Sequence, residues 1–246
     1  MTASETPTMS AIASMSPSVA TPSEAAAPLG GLAAAGSTGR VLLRHISWPT
    51  YQSLLAEVGD DPIHLTYDDG YLEIEVPSDR HEQLKKAVGK LIEMTLERGD
   101  IDFEPLGSTT WNSEAKLKGI EADECFYVQS APLIKGKRPV VLGVHPPPDL
   151  AIEVEVSGSS IDKLSIYAAL QIPEVWRVME DGRVRVVRRS DDGTYAPADK
   201  SSVVPGLSPE VVEACLRKLE PAGTWTYSDL RRRFAAWLDA PGNPIA

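Results

Sequence analysis

The chain has 246 residues, 42% of them hydrophobic and 24% charged, with a formal net charge of −11. That is the composition of a folded domain, and the acidic balance argues against coating nucleic acid through an overall positive field, so any nucleic-acid contact is expected to be local. The sequence has no run of about eighteen apolar residues and no basic-then-apolar N-terminal segment, which predicts no membrane span and no secretory signal and makes the cytoplasm the expected compartment.

Residues 1–38 are almost entirely Ala, Ser, Thr, Pro, Met and Gly, with only Glu5 and Glu24 charged. Such a segment buries too little apolar surface to offset backbone entropy, and a disordered tail is expected. Order is expected to begin near Val41, where Ser47 caps a helix with Pro49 in its first turn and Tyr51, Leu54, Leu55 and Val58 at helical spacing. IHLTY and YLEIEV then alternate around Asp68-Asp69-Gly70, which predicts a hairpin. In its second strand Leu72, Ile74 and Val76 face one way, while Tyr71, Glu73 and Glu75 face the other. The acidic face reads as solvated, with a ligand role for Glu73 as the alternative. Ser78 or Asp79 caps the next helix, whose Leu84, Val88, Leu91, Ile92 and Leu96 form one stripe ending at Gly99. His81 lies in its first turn, either as a hydrogen-bonding partner of an active-site group or as an ordinary packed residue.

From Ile101 to Gln129 the pattern predicts short strands at IDFEPL, STTWN and ADECFYVQ, with Asp123 entering the last. Cys125 and Cys215 have neither disulfide-framework nor zinc spacing and are expected in the core. Pro146 to Val178 has the compass of a βαβ unit. On its first strand Asp149, Ala151, Glu153 and Glu155 share one face, and Leu150, Ile152, Val154 and Val156 the other. Carboxylates held so close raise one another's pKa unless a cation neutralises them, and hard oxygen donors select Mg²⁺, Mn²⁺ or Ca²⁺ over zinc. Asp149 and Glu153 suffice as ligands; Glu155 can sit in solvent at the strand end. Lys163, one turn later, either reaches back toward these acids or pairs with Asp162 in solvent. A carboxylate pair, a metal and a lysine suit phosphodiester hydrolysis, whereas sugar hydrolysis wants two acids facing across a cleft. EVWRVME and VRVVRR form a second hairpin across Asp181-Gly182, and Ser208–Leu219 and Ser228–Leu238 read as docking helices.

The segments YDDGYLEIEVPSDRHEQ, GSTTWNSEAKLKGIEADECFYV and PPPDLAIEVEVSGSSIDKLSIYAALQIPEVWRV resemble, in the same order, the restriction-endonuclease family called Uma, a branch of the PD-(D/E)XK nuclease superfamily. The resemblance spans Trp48 to Tyr195 and implies an α/β fold, a restriction-endonuclease-like mixed sheet flanked by helices, with an N-terminal β-hairpin and C-terminal helices. The implied organisation is a tail at 1–38, the domain at 39–200 and a helical extension at 201–246. The implied site holds Mg²⁺ or Mn²⁺ on Asp123 and Glu153, with Asp149 as an added acid, Lys163 in place of the usual strand lysine and His81 as the helix histidine. Two positions depart from the pattern. Ala122 stands where the family carries proline, and Glu155 where the superfamily carries lysine, so that Glu155 binds metal or Lys163 compensates for it. The expected function is a metal-dependent endonuclease hydrolysing phosphodiester bonds in DNA, with Asp123, Asp149 and Glu153 as ligands and Lys163 positioning the attacking water. A homodimer is expected because duplex cleavage needs two cuts. The rival is a nuclease-fold binding or assembly module without turnover, favoured by the acidic charge and by Glu155.

Overall fold

The computed structural model describes residues 39–156, 158–217 and 225–243, so the predicted tail and the end of the helix expected to reach Leu219 lie outside the described residues. Strand β1 (Gly39–Leu43) leads to helix α1 (Trp48–Val58), the hairpin β2 (His64–Asp68) and β3 (Tyr71–Val76), and helix α2 (Asp79–Arg98). Ser47 Oγ accepts from Thr50 N to cap α1, and the proline in its first turn gives up no helical hydrogen bond there. Asp69 and Gly70 both have positive φ, 43° and 89°, the backbone that a two-residue hairpin of this hand requires. Ser78 caps α2 by accepting from His81 N.

The chain continues through β4 (Glu104–Pro105), β5 (Thr109–Ser113), β6 (Lys118–Ala122), β7 (Glu124–Tyr127), the short α3 (Ala131–Ile134), β8 (Leu150–Glu155), α4 (Lys163–Ala169) and β9 (Glu174–Met179). It closes with β10 (Val184–Arg189), β11 (Tyr195–Ala198), α5 (Pro209–Arg217) and α6 (Tyr227–Leu238). The strands form two sheets, one in the order β1-β3-β2-β6-β5 and one in the order β11-β10-β9-β8-β7-β4. The first is antiparallel, whereas the second is mixed, because β8 and β9 pair in parallel across the α4 crossover. The predicted mixed sheet flanked by helices is therefore present, and the N-terminal hairpin lies in the other sheet, between β1 and β6.

Strand β8 divides the interior. Its Leu150, Ile152 and Val154 join a core with Leu84, Val88, Leu91, Ile92 and Leu96 of α2 and with apolar residues of α5 and α6. Ala151 instead joins a core with Ile166 and Tyr167 of α4. Burying the five α2 side chains is worth about 1.5–3 kcal/mol each, so packing rather than propensity holds α2 on the sheet. The same alternation sends Glu153 out on the α4 side. Both cysteines are buried in the core, as expected. No helix among the described residues is long and apolar enough to cross a membrane.

One predicted strand breaks in two. ADECFYVQ reads as continuous, yet β6 belongs to the antiparallel sheet and β7 to the mixed one, and Asp123 sits at the break. Its backbone N–H donates to Ile152 O at 3.1 Å and its Oδ2 accepts from Val154 N at 2.6 Å. A short carboxylate thus serves β8 where the sheet ladder changes hands.

β6 is seated against the hairpin by Gly119, over which the ring of Tyr51 lies, itself stacked on Tyr67 at a centroid distance of 4.8 Å. A Cβ at 119 would overlap the Tyr51 hydroxyl oxygen and stand 2.6 Å from its Cζ. Gly119→Ala is therefore expected to cost about 1–3 kcal/mol by overpacking, measured as a lowered urea midpoint at constant m-value. An unchanged midpoint would mean that the ring gives way freely.

Candidate active site

The β7–β8 register pairs Glu124 with Ile152, which sets Asp123 opposite Glu153. Side chains so opposed have Cβ atoms about 4.5–5.5 Å apart. Each carboxylate is only 1% exposed. Glu153 Oε2 accepts from Lys163 Nζ at 2.7 Å, and Oε1 accepts from the Tyr167 hydroxyl. Asp162 caps α4 by accepting from Leu164 N, so Lys163 opens the helix and Tyr167 stands one turn on, along the same side. Of the two readings for Lys163, the structure takes the one that reaches back to the strand: its ammonium also lies 3.7 Å from Glu75 Oε2.

The expectation of a wet acidic face on β3 is corrected. Glu73 and Glu75 are 1% and 3% exposed. Arg40 of β1 bridges them, with Nη1 3.0 Å from Glu73 Oε1 and Nη2 bonded to Glu75 Oε1. Glu73 also accepts from Ser159 Oγ and Ser160 N, each at 2.7 Å, so the serine turn after β8 covers the face that alternation assigned to solvent. Lys163 pairs with Glu153 and Glu75, and a different cation serves Glu155. Arg177 of β9 grips it through two hydrogen bonds, from Nε and from Nη2, the latter at 2.8 Å.

Asp149 lies on the predicted face but at the other end of β8, about 13 Å along the strand from Glu153. Its Oδ2 accepts from Val128 N at 2.7 Å and Ser130 N at 2.9 Å, and its Oδ1 from Ser130 Oγ at 2.9 Å. It closes the turn after β7 and is not brought to Asp123 and Glu153. His81 is: its Nε2 lies 3.1 Å from Asp123 Oδ2. Sequence reasoning missed His64, whose Nδ1 is 3.4 Å from Asp123 Oδ1, along with Arg40, Tyr167 and Arg177. Only Tyr167 had a local signal, its spacing of four from Lys163.

The electrostatics separate these groups. Burial pushes the Glu153 carboxyl up to about 7, with Lys163 opposing and Asp123 adding to the shift. Burial would raise Asp123 too, but the hydrogen bond and charge of His81, with Lys163 and His64, outweigh it and hold Asp123 below the usual carboxylate range. His81 is raised to about 9, because its hydrogen bonds to Asp123 and Glu82 overcome the burial that would lower it. Lys163 is raised as well, since Glu153, Asp123 and Glu75 outweigh its burial. A raised histidine stabilises the fold fully below its unfolded value of 6.5 and loses that contribution as pH climbs through about 9. Metal-free protein is therefore expected to lose stability over that interval, and His81→Gln to flatten the loss, as read by urea unfolding in chelator. A profile unchanged by His81→Gln would contradict the His81–Asp123 pairing.

In front of Glu153 and Lys163 opens a cavity of about 390 Å³, lined also by Arg40, Glu155, Ser159 and Arg177. A hard divalent cation fits this neighbourhood. Four buried carboxylates, Glu73, Glu75, Asp123 and Glu153, meet the permanent charges of Arg40 and Lys163, and buried Asp123 Oδ1 has no hydrogen-bond partner. His64, His81 and Asp123 each present a ligand atom within 4.8 Å of the others.

Residues 48–217 match the profile of the Uma2 family, described as putative restriction endonuclease. Among solved structures, the crystal structure of a putative nuclease belonging to DUF820 from Anabaena variabilis is similar at 12% identity and a TM-score of 0.47, over 75% of this chain and 98% of that one. No curated protein matches the chain.

Proposed function

This chain belongs to the Uma2 family of restriction-endonuclease type, and from that membership we propose that it is a cytoplasmic, metal-dependent endonuclease hydrolysing phosphodiester bonds in DNA. The observation that carries the reading is the convergence of two buried carboxylates from adjacent strands with a helix-borne lysine, Lys163 Nζ lying 2.7 Å from Glu153 Oε2 beside Asp123. Asp123 and Glu153 would hold Mg²⁺ or Mn²⁺, which when bound polarises a phosphoryl oxygen and helps ionise a water. The catalytic unit is residues 39–200, with α5 and α6 as a helical extension beyond it, and cutting both strands takes two copies of the chain.

The residues of the chain have separate tasks in this scheme. Val154 N–H and His81 hold Asp123 Oδ2, while Lys163 and Tyr167 hold the two oxygens of Glu153, so neither carboxylate must reorganise during reaction. Lys163 keeps its proton, orients the attacking water from the cavity wall and offsets the charge that grows on the phosphoryl oxygens. Arg40 and Arg177 line the same cavity; each is tied to a glutamate, which fixes their guanidinium groups in place for a phosphate.

The test is cleavage of plasmid, linear and single-stranded DNA in Mg²⁺ or Mn²⁺. Wild-type protein is expected to cut at least one of these, and Glu153→Gln to cut about 10³-fold more slowly. All three left intact, with Mn²⁺ binding indifferent to Glu153→Gln, would sink the proposal. The second reading, a nuclease fold that binds or assembles without turnover, draws on the internal pairing of Glu155 with Arg177 and on the net charge of −11. It predicts no Mn²⁺ bound at Asp123 and Glu153.

A further inference from the structure

Facing each other beside His81 are two buried polar atoms with no hydrogen-bond partner, Asp123 Oδ1 and His64 Nδ1. Orphaned groups are uncommon in a folded interior and call for an occupant. His64 Nδ1 and Asp123 Oδ1 are 3.4 Å apart, while His81 Nε2 stands 3.1 Å from Asp123 Oδ2. Nitrogen and oxygen ligands bound to one ion at about 2.0–2.2 Å, with angles between square and tetrahedral, lie about 2.9–3.4 Å apart. The two histidine–aspartate separations fall in that range, and one ligand atom from each of the three residues lies within 4.8 Å of the others.

The outer nitrogens carry the argument further. His64 Nε2 lies 3.6 Å from Glu121 Oε1, and His81 Nδ1 lies 3.4 Å from Glu82 Oε1. A metal-binding imidazole turns its second ring nitrogen to a carboxylate, which fixes its tautomer and raises its basicity. Both histidines have a different glutamate on that outer side, His81 the nearer to its own, and an ordinary His–Asp ion pair needs neither. The three residues come from β2, α2 and the β6–β7 break, so rigid elements hold the arrangement. A cavity of about 420 Å³, lined by His64, Glu82, Lys85 and Glu121, adjoins it.

We propose that His64, His81 and Asp123 form a site for a divalent transition ion of the zinc or cobalt kind, separate from the position that involves Glu153. Two imidazoles and one carboxylate favour such an ion over Mg²⁺, and three protein ligands leave coordination places for water. Asp123 is common to both positions, yet the site stands without the nuclease reading, since its donors are complete without Glu153 or Lys163.

Titration of the full chain with Co²⁺, followed by visible absorption, is expected to give one tightly held ion per chain, displaced by Zn²⁺ and not by excess Mg²⁺. His64→Gln and His81→Gln should each weaken it at least about 100-fold, while Glu153→Gln leaves its affinity within about threefold. His64→Cys should retain the ion and add a thiolate-to-cobalt band in the near ultraviolet, a signature that a packing role cannot produce and that decides the matter if His64→Gln fails to fold. Affinity indifferent to both histidine substitutions, affinity lost with Glu153→Gln alone, or no bound Co²⁺ at all would each overturn the proposal. DNA cleavage is not a readout here, so failure of the nuclease reading leaves this result interpretable.

Discussion

Lys163→Met is expected to slow DNA cleavage by about 10²–10³-fold, the usual loss when one charged donor is removed from a transition state. It is also expected to destabilise the fold by about 3–5 kcal/mol, because it strips a buried carboxylate of its cation. Lys163 holds Glu153 at 2.7 Å, and Glu153 is 1% exposed. Burial has already pushed that carboxyl up to about 7, so it can take a proton once the lysine is gone, which moves the cost to the lower end of the range. The double variant Lys163→Met/Glu153→Gln separates the two effects: it should regain most of the stability and none of the cleavage. Urea midpoints and plasmid nicking rates read the two quantities on the same preparations. A Lys163→Met protein as active as wild type would remove the lysine from turnover. A double variant no more stable than the single one would contradict the pairing.

Asp149→Ala should behave in the opposite way. Its carboxylate accepts three hydrogen bonds, two of them from the backbone N–H groups of Val128, which is buried, and Ser130, which is partly so. Hydrogen bonds to a charged group are worth about 1.5–3 kcal/mol each and add incompletely, so a loss of about 3–5 kcal/mol is expected. Mn²⁺ affinity should stay at the wild-type value, because the carboxylate lies about 13 Å along β8 from Glu153 and is turned into its own turn. Calorimetric titration with Mn²⁺ beside a denaturation curve measures both. Stability kept with Mn²⁺ binding lost would restore Asp149 to the ligand role that its family position implies.

What could be read from the chain and what could not divide along one physical line. Features set by neighbours in sequence were legible: the Ser47 and Ser78 caps, the Asp69-Gly70 turn, the apolar stripe of α2 and the βαβ unit from β8 to β9. Within that unit the short loop between strand end and helix start put Lys163 within reach of Glu153, but spacing left pairing with Asp162 equally open, and only the fold chose between them. Alternation along β3 told correctly which residues share a face, but not what covers it. The serine turn and Arg40 come from elsewhere in the chain and bury Glu73 and Glu75. The break at Asp123 was hidden for a similar reason: ADECFYVQ has strand composition throughout, and only pairing with β8 on one side and β5 on the other divides it. His64 looked like any polar residue at a strand start until the fold set it against Asp123. Arg177, directly opposite Glu153 in the parallel pair, turned out to answer the question posed by Glu155.

The central claim is that Asp123, Glu153 and Lys163 make one metal-assisted hydrolytic centre. A crystal soaked in Mn²⁺ and measured at the manganese absorption edge tests it most directly. The expected result is an anomalous peak within coordination distance of both the Asp123 and Glu153 carboxylates, with Lys163 Nζ facing the same cavity. Glu153 still bonded only to Lys163 and Tyr167, with no peak beside it at saturating Mn²⁺, would contradict it.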